Sequence, residues 1–154
     1  MSAARPPMDF LVRIPFIEHL GFELLRVEPG LGEIAIEVRD ELTNSWGVAH
    51  GGLLMTLMDI AMAHAARSPL EPGGEVLPGV VTIEMKTSFM RPGEGLLTCR
   101  ARVLHRSSTM AYTEGSVYSS NGLLCAHATG TFKYLRALPA SNGLRVLPQK
   151  DGQE

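Results

Sequence analysis

Alternating apolar and polar residues predict strands in two parts of the chain. Between Gly21 and Arg39 the alternation is interrupted once, at Pro29-Gly30, which predicts a hairpin of two strands. Later in the chain, four alternating segments are separated by pairs of turn-forming residues, of which Asn121-Gly122 is the strongest hairpin signal. These four predicted strands span residues 80–89, 95–106, 110–119 and 123–135.

The stretch between the two groups of strands, from Leu53 to Ser68, has a different pattern. It is rich in Ala, Leu and Met, it contains neither Gly nor Pro, and Pro69 follows it, which predicts one helix. Apolar residues cover most of its circumference, so we expect the helix to be buried. One helix covers only one face of a six-stranded sheet, so the pattern predicts an α+β fold in which a curved antiparallel sheet wraps the helix.

The two ends of the chain lack these patterns. Residues 1–20 begin loosely and contain two segments, 8–13 and 15–20, that can form short helical turns, so we expect a segment that covers the domain. Residues 136–154 are rich in Pro, Ser, Asn and Gly, which predicts a mobile tail. A chain of 154 residues fits one domain, which we place at residues 21–135.

Composition and charge exclude several kinds of partner. The net charge of −2 and the absence of a basic stripe argue against nucleic-acid binding. The longest apolar run is interrupted by Asp59 and His64 and is too short to cross a membrane, so we expect a cytoplasmic protein without a membrane partner. Cys99 and Cys125 have no metal-binding spacing, and we expect buried free thiols with no metal and no cofactor.

Asp59 is the anomaly in the predicted helix, because a carboxylate among apolar residues is poorly solvated. It can simply face water at the helix edge or pair with His64 or Arg67. However, Gly51-Gly52 at the helix start leave backbone N–H groups free of side chains, and these groups can stabilise an oxyanion. Asn44 and His50 place an amide and an imidazole just before that turn, which favours a catalytic site.

These residues form a pattern with a known counterpart. The motif Asn44-x-x-Gly47-x-x-His50-Gly51-Gly52-x-x-x-x-Leu57-x-Asp59 resembles the signature of the hotdog-fold acyl-CoA thioesterases, in the subgroup of the PaaI-type enzymes and the mammalian thioesterase superfamily member 2. The segment 78–92, which ends in Arg91-Pro92, resembles the strand that follows in that family. The resemblance covers residues 15 to 135 and implies a hotdog fold. It also implies a homotetramer of two homodimers, with active sites at the dimer seam.

The resemblance further implies hydrolysis of acyl-CoA to a carboxylate and CoA, with a role for each matching residue. Asp59 would be the nucleophile or the general base, and the Gly51 N–H would hold the thioester oxygen. Asn44 and His50 would orient the thioester, from the partner subunit, and Thr82 would position the hydrolytic water. Charge and backbone donors suggest contacts with CoA, although arginines in exposed turns are usually only solvated. The candidates for CoA binding are Gly52, Arg91, Arg106, Ser107, Ser108 and Thr109.

The sequence also suggests a location for the acyl pocket and leaves two alternative functions open. We expect an acyl pocket along the helix stripe of Asp59 and the loop 69–78, lined by Phe16, Trp46, Met55 and Met62 and without a buried cation. Such a pocket favours aromatic, phenylacetyl-type or medium-chain acyl groups and rejects malonyl-CoA and other dicarboxylyl-CoA substrates. The alternatives are a non-catalytic acyl-CoA sensor and an enoyl-CoA hydratase of the same fold. Release of the CoA thiol from acyl-CoA without hydration of enoyl-CoA would distinguish a thioesterase from both.

Overall fold

The computed structural model describes residues 6–147. Two strands, one long helix and four further strands follow one another as predicted, and the α+β class is confirmed. The elements in chain order are α1 (Pro15–Leu20), β1 (Glu23–Glu28), β2 (Leu31–Glu37), a 3-10 helix (Asp40–Leu42), α2 (Gly51–Arg67), β3 (Gly79–Phe89), β4 (Leu96–Arg106), β5 (Met110–Tyr118), β6 (Leu124–Leu135), β7 (Ala137–Ala140) and β8 (Gly143–Val146).

The first six strands form one antiparallel sheet in the order β1-β2-β4-β5-β6-β3. Helix α2 contacts all six of them. Since strands lie about 4.8 Å apart and a helix with its side chains is about 10 Å wide, a flat sheet of six strands would extend well beyond the helix. The sheet therefore curves around α2, and β1 and β3 remain as its two edges.

The core lies between the sheet and the face of α2 that carries Leu57, Met58, Ala61 and Met62, all of which are fully buried. Strand β2 crosses this helix at very short range. A Cβ atom at Gly32 would lie 2.7 Å from the backbone oxygen of Ala61, so only glycine allows the approach.

The opposite face of α2 corrects the expectation of a helix buried on nearly all sides. A stripe of partly exposed residues runs along it, and Met62, which we expected in the acyl pocket, belongs instead to the core. Ala63 lies about 40° from Asp59 around the helix and Met62 about 60° in the other direction, which turns Met62 towards the sheet. The exposed stripe consists of Gly52, Met55, Thr56, Asp59, Ile60, Ala63 and Arg67.

Both ends of the chain are more regular than the sequence predicts. Residues 15–20 form α1 as expected, with Pro15 at the helix start, where its missing N–H costs nothing, whereas residues 8–13 are not helical. Instead, the Met8 N–H donates to the Leu24 oxygen at 2.8 Å, which adds a bridge to the edge of β1. Ile17 is fully buried, so this segment contributes to the core as well as covering it.

At the other end, β7 and β8 form a hairpin around a two-residue turn, Ser141-Asn142, that the sequence analysis missed. The mobility of residues 136–154 stays a prediction. Residues 1–5 of the predicted cover segment and residues 148–154 of the predicted tail lie outside the described residues. None of the helices within 6–147 is long and apolar enough to cross a membrane. Cys99 and Cys125 are buried and free, which confirms the prediction of buried free thiols.

Candidate active site along the central helix

The loop before α2 is shaped by the first residue of the motif. The Asn44 side-chain oxygen accepts hydrogen bonds from the backbone N–H groups of Trp46, at 2.9 Å, and Val48, at 3.4 Å. Gly47 adopts a left-handed conformation with φ of 74°, which glycine tolerates best. Trp46 projects from this loop with 87% of its surface exposed. Asn44 thus fixes the loop, while its amide nitrogen donates to none of residues 6–147.

His50 caps the N-terminus of α2. Its backbone is extended, and its ring nitrogen Nδ1 accepts the Gly52 N–H at 2.9 Å. The proton of a neutral His50 ring therefore lies on Nε2, which points away from the helix start. The Gly51 N–H has no acceptor among the described residues. The helix thus begins with one donor satisfied by its cap and one donor left for a ligand.

Space beside Gly51 is bounded by an aromatic ring. A Cβ atom at this position would lie 3.6 Å from two ring atoms of Phe89, which is ordinary van der Waals contact. Phe89 ends β3 with 52% of its surface exposed. The helix start therefore lies beside a partly apolar surface, near which a hydrogen bond is stronger than in water.

The structure brings Asp59 and Thr82, two of the predicted site residues, together although 23 residues separate them. The Thr82 hydroxyl donates to Asp59 Oδ1 at 2.6 Å, from a point where β3 shifts its register against β6. No described residue donates to Oδ2. Burial raises the pKa of the Asp59 carboxyl above its ordinary value, and the hydrogen bond from Thr82 offsets part of that rise. The carboxylate is thus a stronger base than an exposed one.

The free donor and the carboxylate do not meet within one chain. Gly51 and Asp59 are eight residues apart on α2, which corresponds to about 12 Å along the helix axis. A thioester carbonyl cannot accept a hydrogen bond from one of these groups while the other attacks it or activates its water. Within one chain, these two groups therefore cannot act on the same thioester.

The predicted CoA contacts divide between the two ends of the helix. Arg91 donates to the Leu124 oxygen at 2.9 Å in an exposed turn, next to the loop that packs on the helix start. Arg106 lies at the other end, where it donates to the Ala65 oxygen at 3.0 Å and to the Ser68 hydroxyl at 2.7 Å. Arg106 thus has a structural role that the sequence analysis did not foresee.

The turn after Arg106 is also occupied by local bonds. The Ser107 hydroxyl accepts the backbone N–H groups of Thr109, at 3.3 Å, and Met110, at 3.0 Å, and thereby closes the β4–β5 hairpin. Ser107 and Ser108 border a small cavity of about 250 Å³ with Arg106. The predicted CoA contact of this turn stays a prediction.

Other titratable groups near the core do not join the site. His64 is buried, and its Nδ1 bonds the Ile60 oxygen at 2.8 Å while its ring meets Phe10 edge to face. Burial lowers the pKa of His64 to about 4, so the ring is neutral at pH 7. Burial also raises the pKa of the Cys99 thiol, which makes it a poor nucleophile.

Arg67 is a further polar residue on this face of the helix, and it was not among the predicted site residues. It continues the stripe of Asp59 and Ala63 at a spacing of four, and it lies half-buried beside a cavity of about 950 Å³. The same spacing that predicts a helix face was the signal that could have found it. A half-buried cation therefore borders the end of the loop after α2, whereas the expectation of an acyl pocket without a buried cation stays a prediction.

Comparison with known proteins agrees with this architecture. Residues 47–126 match the sequence profile of the Thioesterase superfamily. The protein named "Putative esterase SSO1253" from Saccharolobus solfataricus is 31% identical over 129 residues, which are 83% of each chain.

Two solved structures extend the comparison. A conserved protein of Pseudomonas aeruginosa, PA5202, shares 30% identity with a TM-score of 0.72, over 81% of this chain and 97% of its own. A mutant of the phenylacetic acid degradation protein PaaI from Thermus thermophilus shares 32% identity with a TM-score of 0.69, over 79% of this chain and 100% of its own. The chain therefore belongs to the thioesterase superfamily, as a hotdog-fold member of a family of thioester hydrolases.

Proposed function

We propose that this chain is an acyl-CoA thioesterase whose active sites form between two copies of the chain. The observation that carries the proposal is the pair of unoccupied groups on α2, the Gly51 N–H and the second oxygen of Asp59. One is a hydrogen-bond donor at the positive end of a helix dipole, and the other is a base with a raised pKa. Thioester hydrolysis needs both kinds of group.

A second copy of the chain would bring a Gly51 N–H close to Asp59, although the two groups lie far apart within one chain. In a two-fold symmetric dimer, Asp59 of one chain lies beside Gly51 of the other, and the symmetry creates the same site twice. The part of the exposed stripe from Gly52 to Asp59 and the edge strand β3 are the surfaces that such a partner would cover. Strand β3 presents Ile83 and Phe89, and Met90 follows directly after it, each with about half of its surface exposed, which is unfavourable for an isolated edge. Two such dimers would form the homotetramer that the family resemblance implies.

The chemistry follows from the two groups. Water attacks the thioester carbon while Asp59 takes its proton, and the carbonyl oxygen becomes an oxyanion that the Gly51 N–H stabilises. The carbon–sulfur bond then breaks, and the proton passes to sulfur, which releases the CoA thiol and the carboxylic acid. If Asp59 instead attacks the carbon directly, water hydrolyses the resulting anhydride and the products are the same.

The neighbouring residues support these steps. Thr82 holds one oxygen of Asp59 and leaves the other free to face water. His50 fixes the first turn of α2, which aims the Gly51 N–H, and its Nε2 can contact the thioester. The Asn44 amide nitrogen is available for the same purpose. CoA itself would lie over the helix start, near Gly52 and Arg91. Both unpaired cysteines fit the cytoplasmic location that we include in the proposal.

The acyl group would be aromatic or of medium length, because the surface beside Asp59 is apolar and adaptable. Met55 and Ile60 flank Asp59 on the exposed stripe, and unbranched Met side chains fit acyl groups of different shapes. A single methylene changes discrimination by only about 1 kcal/mol, so we expect several substrates to be accepted.

The experiment that tests the function is a thiol-release assay over a panel of acyl-CoA thioesters, including phenylacetyl-CoA and octanoyl-CoA, with hydration of an enoyl-CoA measured in parallel. We expect thiol release that Asp59→Asn abolishes. Binding of acyl-CoA without thiol release would identify a sensor module instead, and hydration without thiol release would identify a hydratase. Either result would overturn the proposal.

A further inference from the structure

The cavity at the C-terminal end of α2 has a composition that the proposed reaction does not explain. Its volume is about 950 Å³, and its walls come from the N-terminal segment, the loop after α2, the end of β6 and the end of β8. Most of the lining is apolar, including Leu11, Val76, Leu135 and Val146. A cavity of this size and polarity can accommodate the apolar part of a small-molecule ligand.

A half-buried cation lies in this apolar wall. Arg67 donates through Nε to the Leu77 oxygen at 3.3 Å, and its two terminal nitrogens have no acceptor among the described residues. Glu75 also borders the cavity, but it is exposed and forms no ion pair with Arg67. Arg136 adds a second positive charge at the exposed rim. A guanidinium with two free nitrogens in an apolar wall has the donors to hold a carboxylate by two parallel hydrogen bonds.

The position of Arg67 relates this cavity to the candidate active site. Asp59, Ala63 and Arg67 follow each other at intervals of four residues on the exposed stripe, so Arg67 lies about 12 Å from Asp59 along the helix axis. The chain before and within β3 runs back along the same face. It contacts the helix at both places, because Thr82 bonds Asp59 and Leu77 bonds Arg67.

The surface between these two contacts is apolar and partly exposed. Ala63 contributes it from the helix and Val80 from β3. An acyl chain that starts at Asp59 can therefore follow α2 towards the cavity without meeting a charged group. At a projected length of about 1.25 Å per carbon, a chain of about ten carbons spans the 12 Å to Arg67.

We propose that the acyl group of the substrate lies along this strip and that Arg67 binds a carboxylate at its far end. The preferred substrates would be ω-carboxyl acyl-CoA thioesters of about ten carbons. This inference rests on the proposed thioesterase function and adds the substrate class. It also replaces the expectation that all dicarboxylyl-CoA substrates are rejected, because malonyl-CoA is excluded by length only. Its carboxylate would remain near Asp59, about 12 Å from Arg67, where it meets a like charge.

The test compares two substrates of equal length, decanoyl-CoA and decanedioyl-CoA, which differ only in the terminal carboxylate. We expect wild-type kcat/KM to be higher for decanedioyl-CoA. Arg67→Gln should lower the ratio of the two kcat/KM values by about ten- to hundredfold, the effect of hydrogen bonds to a charged group. Arg67→Lys keeps the charge but not the paired geometry and should fall between them. Arg102→Gln, at an exposed arginine outside the cavity, is the matched control and should change the ratio no more than a fewfold.

The outcomes separate the two proposals. If wild type hydrolyses both substrates and Arg67→Gln lowers both kcat/KM values equally, Arg67 serves the shared CoA moiety and this inference is wrong, while the thioesterase function stands. The same holds if wild type prefers decanoyl-CoA. If neither substrate nor any member of the acyl-CoA panel releases thiol, the proposed function itself fails. The Tm of each variant, measured by thermal unfolding, shows whether a changed ratio comes from a folded protein.

Discussion

The two ends of α2 differ in how their unpaired backbone groups are satisfied. At the C-terminal end, the Ala65 oxygen accepts bonds from the Arg106 guanidinium and the Ser68 hydroxyl, and the Ala66 oxygen accepts the Tyr134 hydroxyl at 2.6 Å. These partners come from the end of the helix itself and from two strands far along the chain. They cover carbonyl groups that would otherwise be unpaired in a largely apolar region.

The N-terminal end is left incomplete. His50 accepts one N–H, and glycine at two successive positions leaves the Gly51 N–H open. Polar groups at the two ends of the helix, which the sequence does not distinguish, therefore have different roles. Those whose hydrogen bonds are directed into the helix end stabilise the fold, whereas a donor left without an acceptor is available for a substrate. The following variants test this distinction.

The largest effect is expected at Asp59. Asp59→Asn should lower kcat by about 10²-fold or more, since it removes the base or nucleophile. Because the folded-state pKa of Asp59 is raised, the folded protein binds more protons than the unfolded chain as pH rises through this region, and stability falls. Asn cannot ionise, so the variant should be at least as stable as wild type at pH 7. Steady-state kinetics and thermal unfolding check both points, and a folded variant with wild-type turnover would refute the assignment.

At the open end of the helix, Gly51→Val should lower kcat by about 10²-fold, the scale of losing one oxyanion donor. The branched side chain would obstruct the oxygen site while the backbone remains helical. Gly51→Ala is the matched control, because its Cβ atom fits at 3.6 Å from Phe89. Unchanged kinetics for Gly51→Val in a folded protein would place the oxyanion site elsewhere.

At the satisfied end, Arg106→Met should lower the free energy of unfolding by about 1.5–3 kcal/mol, because two hydrogen bonds from a charged donor are lost. Tyr134→Phe removes one neutral bond and should cost about 1 kcal/mol. Denaturant unfolding measures both. A rise in KM for acyl-CoA of more than tenfold in Arg106→Met, with unchanged stability, would instead show that Arg106 holds CoA.

A smaller effect is expected at Thr82. Thr82→Val removes the hydrogen bond that lowers the pKa of Asp59, so that pKa should rise further. The acid limb of the pH profile of kcat/KM should move to higher pH, and kcat should fall about tenfold, the effect of one bond to a charged group. Thr82→Ser should restore both values. A pH profile that does not move would remove Thr82 from the site.

The fold was largely predictable because its signals are local. Alternation located all six strands of the main sheet, and a run of helix formers located α2. Thr82 was assigned to the site only by resemblance to a family, and its hydrogen bond to Asp59 was not predicted, since no local pattern connects a helix with a strand 23 residues later.

Other features depend on tertiary contacts. The role of Arg106 requires knowing that it reaches a helix end 41 residues earlier in the chain. The exposure of one helix stripe could not be predicted either. An apolar residue such as Ile60 indicates a covered surface, but its type does not tell whether its own chain or a second copy covers it. The spacing of four residues placed Arg67 on the same helix face as Asp59, but only the structure shows that Arg67 borders a cavity.

The most direct test of the central claim is complementation between two inactive chains. Asp59→Asn and Gly51→Val are each purified alone, and they are also co-expressed in equal amounts, with thiol release as the readout. If sites form between chains, each mixed dimer has one intact site, and random pairing should restore about one quarter of wild-type activity. The two variants mixed after separate purification, under conditions without subunit exchange, are the control. Co-expressed chains that assemble together and stay inactive would contradict a site shared between Asp59 and Gly51.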